Sequence, residues 1–415
     1  MTLLVANRSY RLLFSATAVS NLGDGIAALA FPWLATLITR DPVLIATVAF
    51  ATRLPWLLFA IPAGVIIDRG DRRRLMMQAD LFRTLLALGV VVLAMRLPSG
   101  PVAAPLPPIL ALSGLAFLLG LAEVVRDNAA QTLLPSVVAQ GDLERANGQM
   151  LSIERIAGAF VGPPLAGALI ALAVPAPFAV EAAGFALAAL CVWLIALPRR
   201  APVPPRHALT EAAEAWAWMR AHPMILRLAI LLGLMNALTT MALTLMVLVS
   251  QDRLGLSAAD YGVLLTVEAA GGVTAGLFGP RLVARLGSQA SVRLALCLFP
   301  LPWMVVALSD HAGLIGAALF VGLGAGVVWN LVTVSYRQRL IPDAMLGRVN
   351  SLYRFFGWGM MPVGAIAGGW IVAQLEGPLG RDMALRVPYA LAAAGSALIA
   401  IYGWMRLRFA AVAAT

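Results

Sequence analysis

Asp24, Arg53 and Glu268 are ionisable residues set deep in apolar stretches: Asp24 in SNLGDGIAALAFPWL, Arg53 in TRLPWLLFAIPAG, and Glu268 about ten residues into the run that starts near 258. A charge near the centre of a bilayer costs at least about 2.5–3.5 kcal/mol, so each needs a partner, a water-filled cavity or a task. A carboxyl facing a dry cavity keeps its proton to near-neutral pH, and can collect it from one side and release it to the other as the cavity reopens. That makes Asp24 and Glu268 candidates for proton coupling. A second reading stands beside each. Asp24 could form a buried ion pair with Arg53 on the neighbouring run; Glu268, with no basic residue nearby in its own run, could be a protonated packing residue. Asp80 and Arg83, three apart and expected to pair, together with Glu123, Glu181 and the adjacent Glu154 and Arg155, sit nearer the ends of their runs and read as gate or packing groups.

The elements that hold these residues follow from composition. The 415 residues are 61% hydrophobic and only 12% charged, with mean hydropathy +0.88, far from an ordinary soluble domain. Backbone amides in hydrocarbon must pair within a helix, and each crossing takes about 20 apolar residues. Breaks in the pattern give helices near 10–38, 43–67, 75–97, 106–126, 146–173 and 176–197, then 224–250, 258–280, 289–309, 312–336, 346–374 and 386–407. The expectation is an all-α integral membrane protein of twelve transmembrane helices. Its first span is too long for a signal-peptide core and is expected to be retained. All thirty basic residues are arginine; with the N-terminus inside, nineteen fall on the cytoplasmic side and five opposite, which places both termini in the cytoplasm. The net charge of +10 therefore reports membrane topology, not nucleic-acid binding. Cys191 and Cys297 lie in apolar runs without a CxxC spacing, and His207, His222 and His311 fall in loops or at their edges, so no metal site or cofactor is expected.

Residues 198–222, rich in proline and arginine and then helical and amphipathic in HALTEAAEAWAWMR, read as a cytoplasmic linker between bundles 1–197 and 223–415. The halves echo each other. QTLLP (131–135) recurs as QRLIP (338–342), and the Arg155, Gly158, Pro163 spacing recurs as Arg354, Gly357, Pro362. Two pseudo-symmetric six-helix bundles point to a secondary transporter.

Between the second and third runs stands GVIIDRGDRRR, Gly64 to Arg74. This loop resembles the signature of the major facilitator superfamily, matching at Gly64, Asp68, Arg69, Arg72, Arg73 and Arg74, but with Asp71 where the pattern has glycine. The worn copy GPRLVARLG (279–287) lacks the acid. Physically, a carboxylate such as Asp68 can rest on the positive end of another helix while the arginines pair with acids or anionic lipid. The resemblance implies a gating latch: Asp68 against the start of span eleven, near Asp343, and Arg72 against Asp127 at the end of span four. The other reading is a loop that only sets orientation.

In span five, Gly158, Gly162, Pro163 and Gly167 allow close helix packing and a bend. The motif resembles that of exporters exchanging substrate for protons. Together with span one, span two and LERANGQM (143–150), it makes the chain similar to the drug and siderophore efflux branch, the macrolide and enterobactin exporters. In that superfamily spans one, four, seven and ten line a central cavity, which would here present Asn21, Asn236, Thr239, Thr240, Trp329 and Asn330, with Arg53 as a further cavity candidate; each of the asparagines and threonines could equally be interhelical glue. The reading is a proton-coupled exporter of a small amphipathic compound (a drug, siderophore or natural product) by alternating access. It is expected to be a monomer in the bacterial inner membrane, with protons, lipid and a small molecule as partners. Uptake or lysophospholipid translocation by the same fold is the nearest rival. A polytopic enzyme or receptor would need a His/Asp cluster, a nucleotide loop or a soluble domain, and none is visible in the sequence.

Overall fold

The computed structural model describes residues 3–98, 102–196 and 208–409, and among these every regular element is helical. Span one is Arg8–Ile38; the side chain of Asn7 caps it by accepting from the Tyr10 amide at 2.9 Å. Spans two, three and four are Pro42–Arg69, Arg72–Arg96 and Leu106–Val137, and span six is Ala176–Trp193. Span five has three pieces in series, Leu143–Glu154, a wide π turn over Arg155–Val161, and Gly162–Leu172. Pro163 accounts for the middle piece: it has no N–H to donate and its ring displaces the carbonyl one turn back, so the wider turn absorbs the defect.

Span four corrects the sequence reading, which ends it at 126. The helix continues to Val137 because Ala129, Ala130, Leu133 and Leu134 keep an apolar face that is buried in the bundle. Arg126 is therefore inside the span.

Span seven is Pro223–Leu248, extended by a wide turn over Val249–Arg253, span ten is Ala312–Leu340, span eleven is Asp343–Gly359 followed by Met361–Leu379, and span twelve is Arg381–Arg406. Between seven and ten a single apolar run, Ala258–Leu308, has 51 residues. Straight, it would measure about 76 Å, more than twice the hydrocarbon thickness. Gly287 breaks it with a φ of +78°, a conformation that costs glycine little. Leu282 and Leu294, on either side of the break, line the same apolar notch. The run is thus a hairpin of spans eight and nine, and eleven long apolar helical runs among the described residues make twelve crossings.

The chain gathers into two compact units. The first takes residues up to Ala208 together with Leu256–Thr266; the second takes Leu209–Gly255 and everything from Val267. In the first unit, spans one and five cross at backbone contact, where a Cβ on Gly25 would strike the Gly158 carbonyl and one on Gly162 would strike Gly25. Gly167 meets the backbone of Ala258 in the same way, and Trp33 stacks on Tyr261 at 6.3 Å. The second unit repeats the crossing between spans seven and eleven, with Gly364 on the Ala237 carbonyl and Gly233 on that of Phe356. The linker helix, Ala208–Ala221, belongs to this unit: Ala215 and Met219 are fully buried, Trp216 stacks on Phe356 at 5.8 Å, and Glu214 pairs with Arg348 at 2.5 Å. Residues 198–207 of the expected linker lie outside the described residues.

Span three shows how a membrane helix is sorted by face. Leu81, Leu85, Leu88, Val92 and Met95 are exposed as a lipid-facing stripe, while Met76, Asp80, Arg83, Ala87 and Val90 are buried. The two charges are turned into the bundle because hydrocarbon offers them no partner.

Candidate functional site

The buried face of span three meets spans one, four and six, and there the first unit concentrates its charge. Thr17, Ser20 and Asp24 succeed one another along one face of span one. The Arg83 guanidinium forms an ion pair with Asp24, donates to Ser20 Oγ at 2.8 Å, approaches Asp80 Oδ1 at 3.8 Å and lies 3.7 Å over the Phe185 ring. Arg126 reaches the other side of Asp80, its Nε 3.7 Å from Oδ1, pairs with Asp127 at 3.1 Å, and donates to Ala16 O and Thr17 Oγ1. Asp80 is completely buried between two arginines that are themselves 2% and 1% exposed, and among the described residues neither of its carboxyl oxygens accepts a hydrogen bond. Charge alone holds it, in a setting where an unpaired ion would cost several kcal/mol.

This cluster answers several expectations. Asp24 does have a buried arginine, but it is Arg83 and not Arg53, which is exposed in span two. Asp80 and Arg83 do face each other, as the weaker half of a longer chain of charges. Arg126 joins the cluster unforeseen, because the sequence reading makes it the last residue of span four. Glu123 and Asp127 are half-buried on span four, and Glu181 is 2% exposed on span six. Glu268 is half-buried in span eight and has no ion pair among the described residues.

The signature loop staples the ends of helices. Asp71 caps span three by accepting from the Arg74 amide at 3.1 Å, which gives the departure from the family pattern a local use. Arg72 donates to the Thr132 carbonyl at 2.8 Å, on the same span as Asp127, and Arg73 donates to the Ile195 carbonyl at 2.7 Å beyond span six. Both cations sit at the negative end of a helix. Gly64, Asp68 and Arg69 belong to the last turns of span two, and the side chains of Asp68 and Arg69, like that of Asp343, lie outside the described residues.

The expected cavity residues divide. Trp329 is corrected to a core residue: it is 1% exposed and packs in the second unit with Val292, Leu296 and Tyr353, because its large ring fills the space where spans nine, ten and eleven meet. Asn236 donates across to the Gly357 carbonyl at 2.8 Å and joins spans seven and eleven. Asn21 donates to Thr17 O in its own helix. Thr239 is half-buried and Asn330 exposed. A second charge network, unseen in the sequence, ties span seven to the loop ahead of span ten and to span twelve. Arg253, 2% exposed, pairs with Asp310 at 2.6 Å and Asp382 at 3.3 Å, and Arg386 pairs with the same two acids. Hydrogen bonds from Arg386 and then Arg253 hold the Asp310 carboxyl below the usual range for an aspartate.

The pattern that defines the transmembrane secretion effector family matches residues 4–412. The chain belongs to this family of the major facilitator superfamily. Among curated proteins it is 28% identical to the enterobactin exporter EntS of Shigella boydii (serotype 4) and, equally, to that of Escherichia coli O81, over 98% of this chain and 93% of each relative. Among solved structures, the nucleoside transporter NupG superposes with a TM-score of 0.71 at 13% identity, over 98% of this chain and 100% of that one. A bacterial homologue of the iron transporter ferroportin in its inward-facing state gives 0.73 at 18%, over 98% and 100%. These likenesses establish the major facilitator fold. As a member of the secretion effector family, the chain is a multi-pass membrane transporter of the efflux type and not an enzyme.

Proposed function

We propose that the chain exports a small amphipathic compound of the siderophore or drug class across the bacterial inner membrane, in exchange for protons. The observation that carries the coupling is the surplus of acid in the first unit: Asp24, Asp80, Glu123, Asp127 and Glu181 share two buried arginines, Arg83 and Arg126. Carboxyls in that number cannot all stay ionised in a low-dielectric bundle, and those that hold protons can give them up when water enters. Glu268, which has no ion pair among the described residues, is a second carrier in the other unit. The near full-length likeness to proteins named enterobactin exporter favours a siderophore as cargo.

In this reading halves 1–197 and 223–415 rock as a monomer about a cavity that Asn21, Thr239 and Asn330 help to line, both termini are cytoplasmic, and the linker helix rides on the second half. Asp68, with Gly64 and Arg69, forms the latch between the halves, Arg72, Arg73 and Asp127 brace its base within the first half, and membrane lipid meets the arginine-rich rim. The arginine asymmetry supports the orientation. The test uses inside-out proteoliposomes with enterobactin as the probe. An acidic lumen should drive accumulation, and collapsing the proton gradient should stop it. Uptake that ignores the gradient would refute the coupling, and uptake of unrelated amphipathic drugs in preference to enterobactin would move the cargo assignment.

A further inference from the structure

Two complementary groups in the first unit are buried and incompletely used. Among the described residues, Arg83 Nε is a donor without an acceptor, and Glu181 Oε2 is an acceptor without a donor. Both belong to one assembly. Arg83 lies on the ring of Phe185, one turn beyond Glu181 on the same face of span six, and the Glu181 carboxyl is within electrostatic reach of Arg83, Asp24 and Glu123. The Cγ of Glu181 and the ring of Phe185 both border Gly23, the residue before Asp24. One guanidinium is thus paired with Asp24, about a quarter exposed, and within electrostatic reach of a second carboxyl, Glu181, which is almost fully enclosed.

We propose that Asp24 and Glu181 share one proton and compete for Arg83, so that the arginine moves from one to the other as the proton moves the opposite way. The proposal deepens the proton-coupled reading above and rests on it only for its use in transport. In the arrangement seen, Arg83 holds the Asp24 carboxylate and Glu181 keeps its O–H. In the alternative, the Glu181 O–H bond breaks, the proton passes to an Asp24 oxygen, and the guanidinium, still protonated, closes on Glu181. The three groups carry zero net charge in both states, which is what allows the exchange inside a bundle where a bare charge is costly. Asp24 is the arm that solvent can reach, so protons enter and leave there. The ring of Phe185 supports the cation along its path.

The surroundings keep the exchange to these three groups. From span three, Asp80 faces Arg83 but is also held by Arg126; from span four, Arg126 and Asp127 pair with each other, and Glu123 adds a further acid; from span five, Glu154 is exposed and has Arg155 beside it. Among the described residues, no other arginine forms an ion pair with Asp24.

The test is infrared difference spectroscopy of the full chain in liposomes, titrated with pH alone and no cargo. Glu181→Gln should remove one protonated-carboxyl band. Asp24→Asn should remove the same band, because Arg83 then closes on Glu181 and ionises it. If Asp24→Asn leaves that band in place, Glu181 is an independent packing acid and the exchange is overturned. Should Asp24→Asn fail to fold, Ser20→Ala removes one anchor of Arg83 on the Asp24 side and should weaken the band without abolishing it; an unchanged band in Ser20→Ala counts equally against the exchange. Bands that behave as expected in a protein whose transport ignores the proton gradient would uphold the exchange and sink the coupling reading instead.

Discussion

Arg83 and Arg53 carry the same charge in the same half of the bilayer protein, yet burial gives them opposite weight. Arg83 is enclosed by Asp24, Asp80, Ser20 and Phe185, whereas Arg53 is exposed. Removing one partner from a buried charge cluster leaves the others uncompensated, a loss of about 3–5 kcal/mol. Arg83→Leu should therefore lower the thermal midpoint of the purified protein sharply, while Arg53→Leu should change it little. Equal effects of the two substitutions in a detergent melting series would show that the cluster is not the stabilising unit described here. The same residues mark what could be seen in the sequence. Depth in an apolar run picks out Asp24 and Glu268, because position along a helix sets how far a charge stands from water. It could not choose Arg83 over Arg53 as the partner of Asp24, since that choice depends on which faces meet, and the exposed stripe from Leu81 to Met95 was the one local signal that Arg83 points inward.

Elements were more legible than faces. Hydropathy placed all twelve spans, and the spacing of Gly158, Gly162 and Pro163 announced a close and bent crossing before its partner was known. The partner turned out to be Gly25, whose own spacing carried no motif. The close contact makes a demand that sequence propensity alone would not: any Cβ at Gly25 meets the Gly158 carbonyl. Overpacking of this kind costs typically 1–3 kcal/mol, and backbone has less room to yield than a side chain. Gly25→Leu should reduce the folded fraction in size-exclusion profiles, whereas Gly114→Ala, with nothing within 4 Å of the added Cβ, should be neutral or up to about 1 kcal/mol stabilising through helix propensity. The end of span four was misread for a related reason. Arg126 and Asp127 resemble a polar terminus until their partners are in view, although the apolar face of Ala129, Ala130, Leu133 and Leu134 carries the helix past them. The network on Asp310 gives a pH test at the same scale. Its folded carboxyl titrates below the ordinary 3.8, so its contribution is complete above that value and is lost as pH falls through the lower folded one. The difference in melting temperature between wild type and Asp310→Asn should hold constant between about pH 5 and 8 and close only in stronger acid.

At the scale of the whole molecule the signature loop must be separated into parts that fasten one bundle and a part that controls the transport cycle. Arg72 and Arg73 bond to the Thr132 and Ile195 carbonyls, which close the ends of spans four and six within the first unit, so they act on stability. Each such charge-assisted bond contributes about 1.5–3 kcal/mol at most when buried and less at a partly exposed helix end. Arg73→Ala should accordingly lower the melting temperature modestly and reduce transport only in proportion to the folded protein. Asp68 is proposed to work between the halves and not within one. Asp68→Asn keeps the shape of the side chain and removes the charge that a helix N-terminus attracts, so expression and melting temperature should stay at wild-type values while net efflux from cells is lost. Efflux that survives in a normally expressed Asp68→Asn protein would reduce the loop to an orientation signal, leaving the staples of Arg72 and Arg73 as its whole structural role.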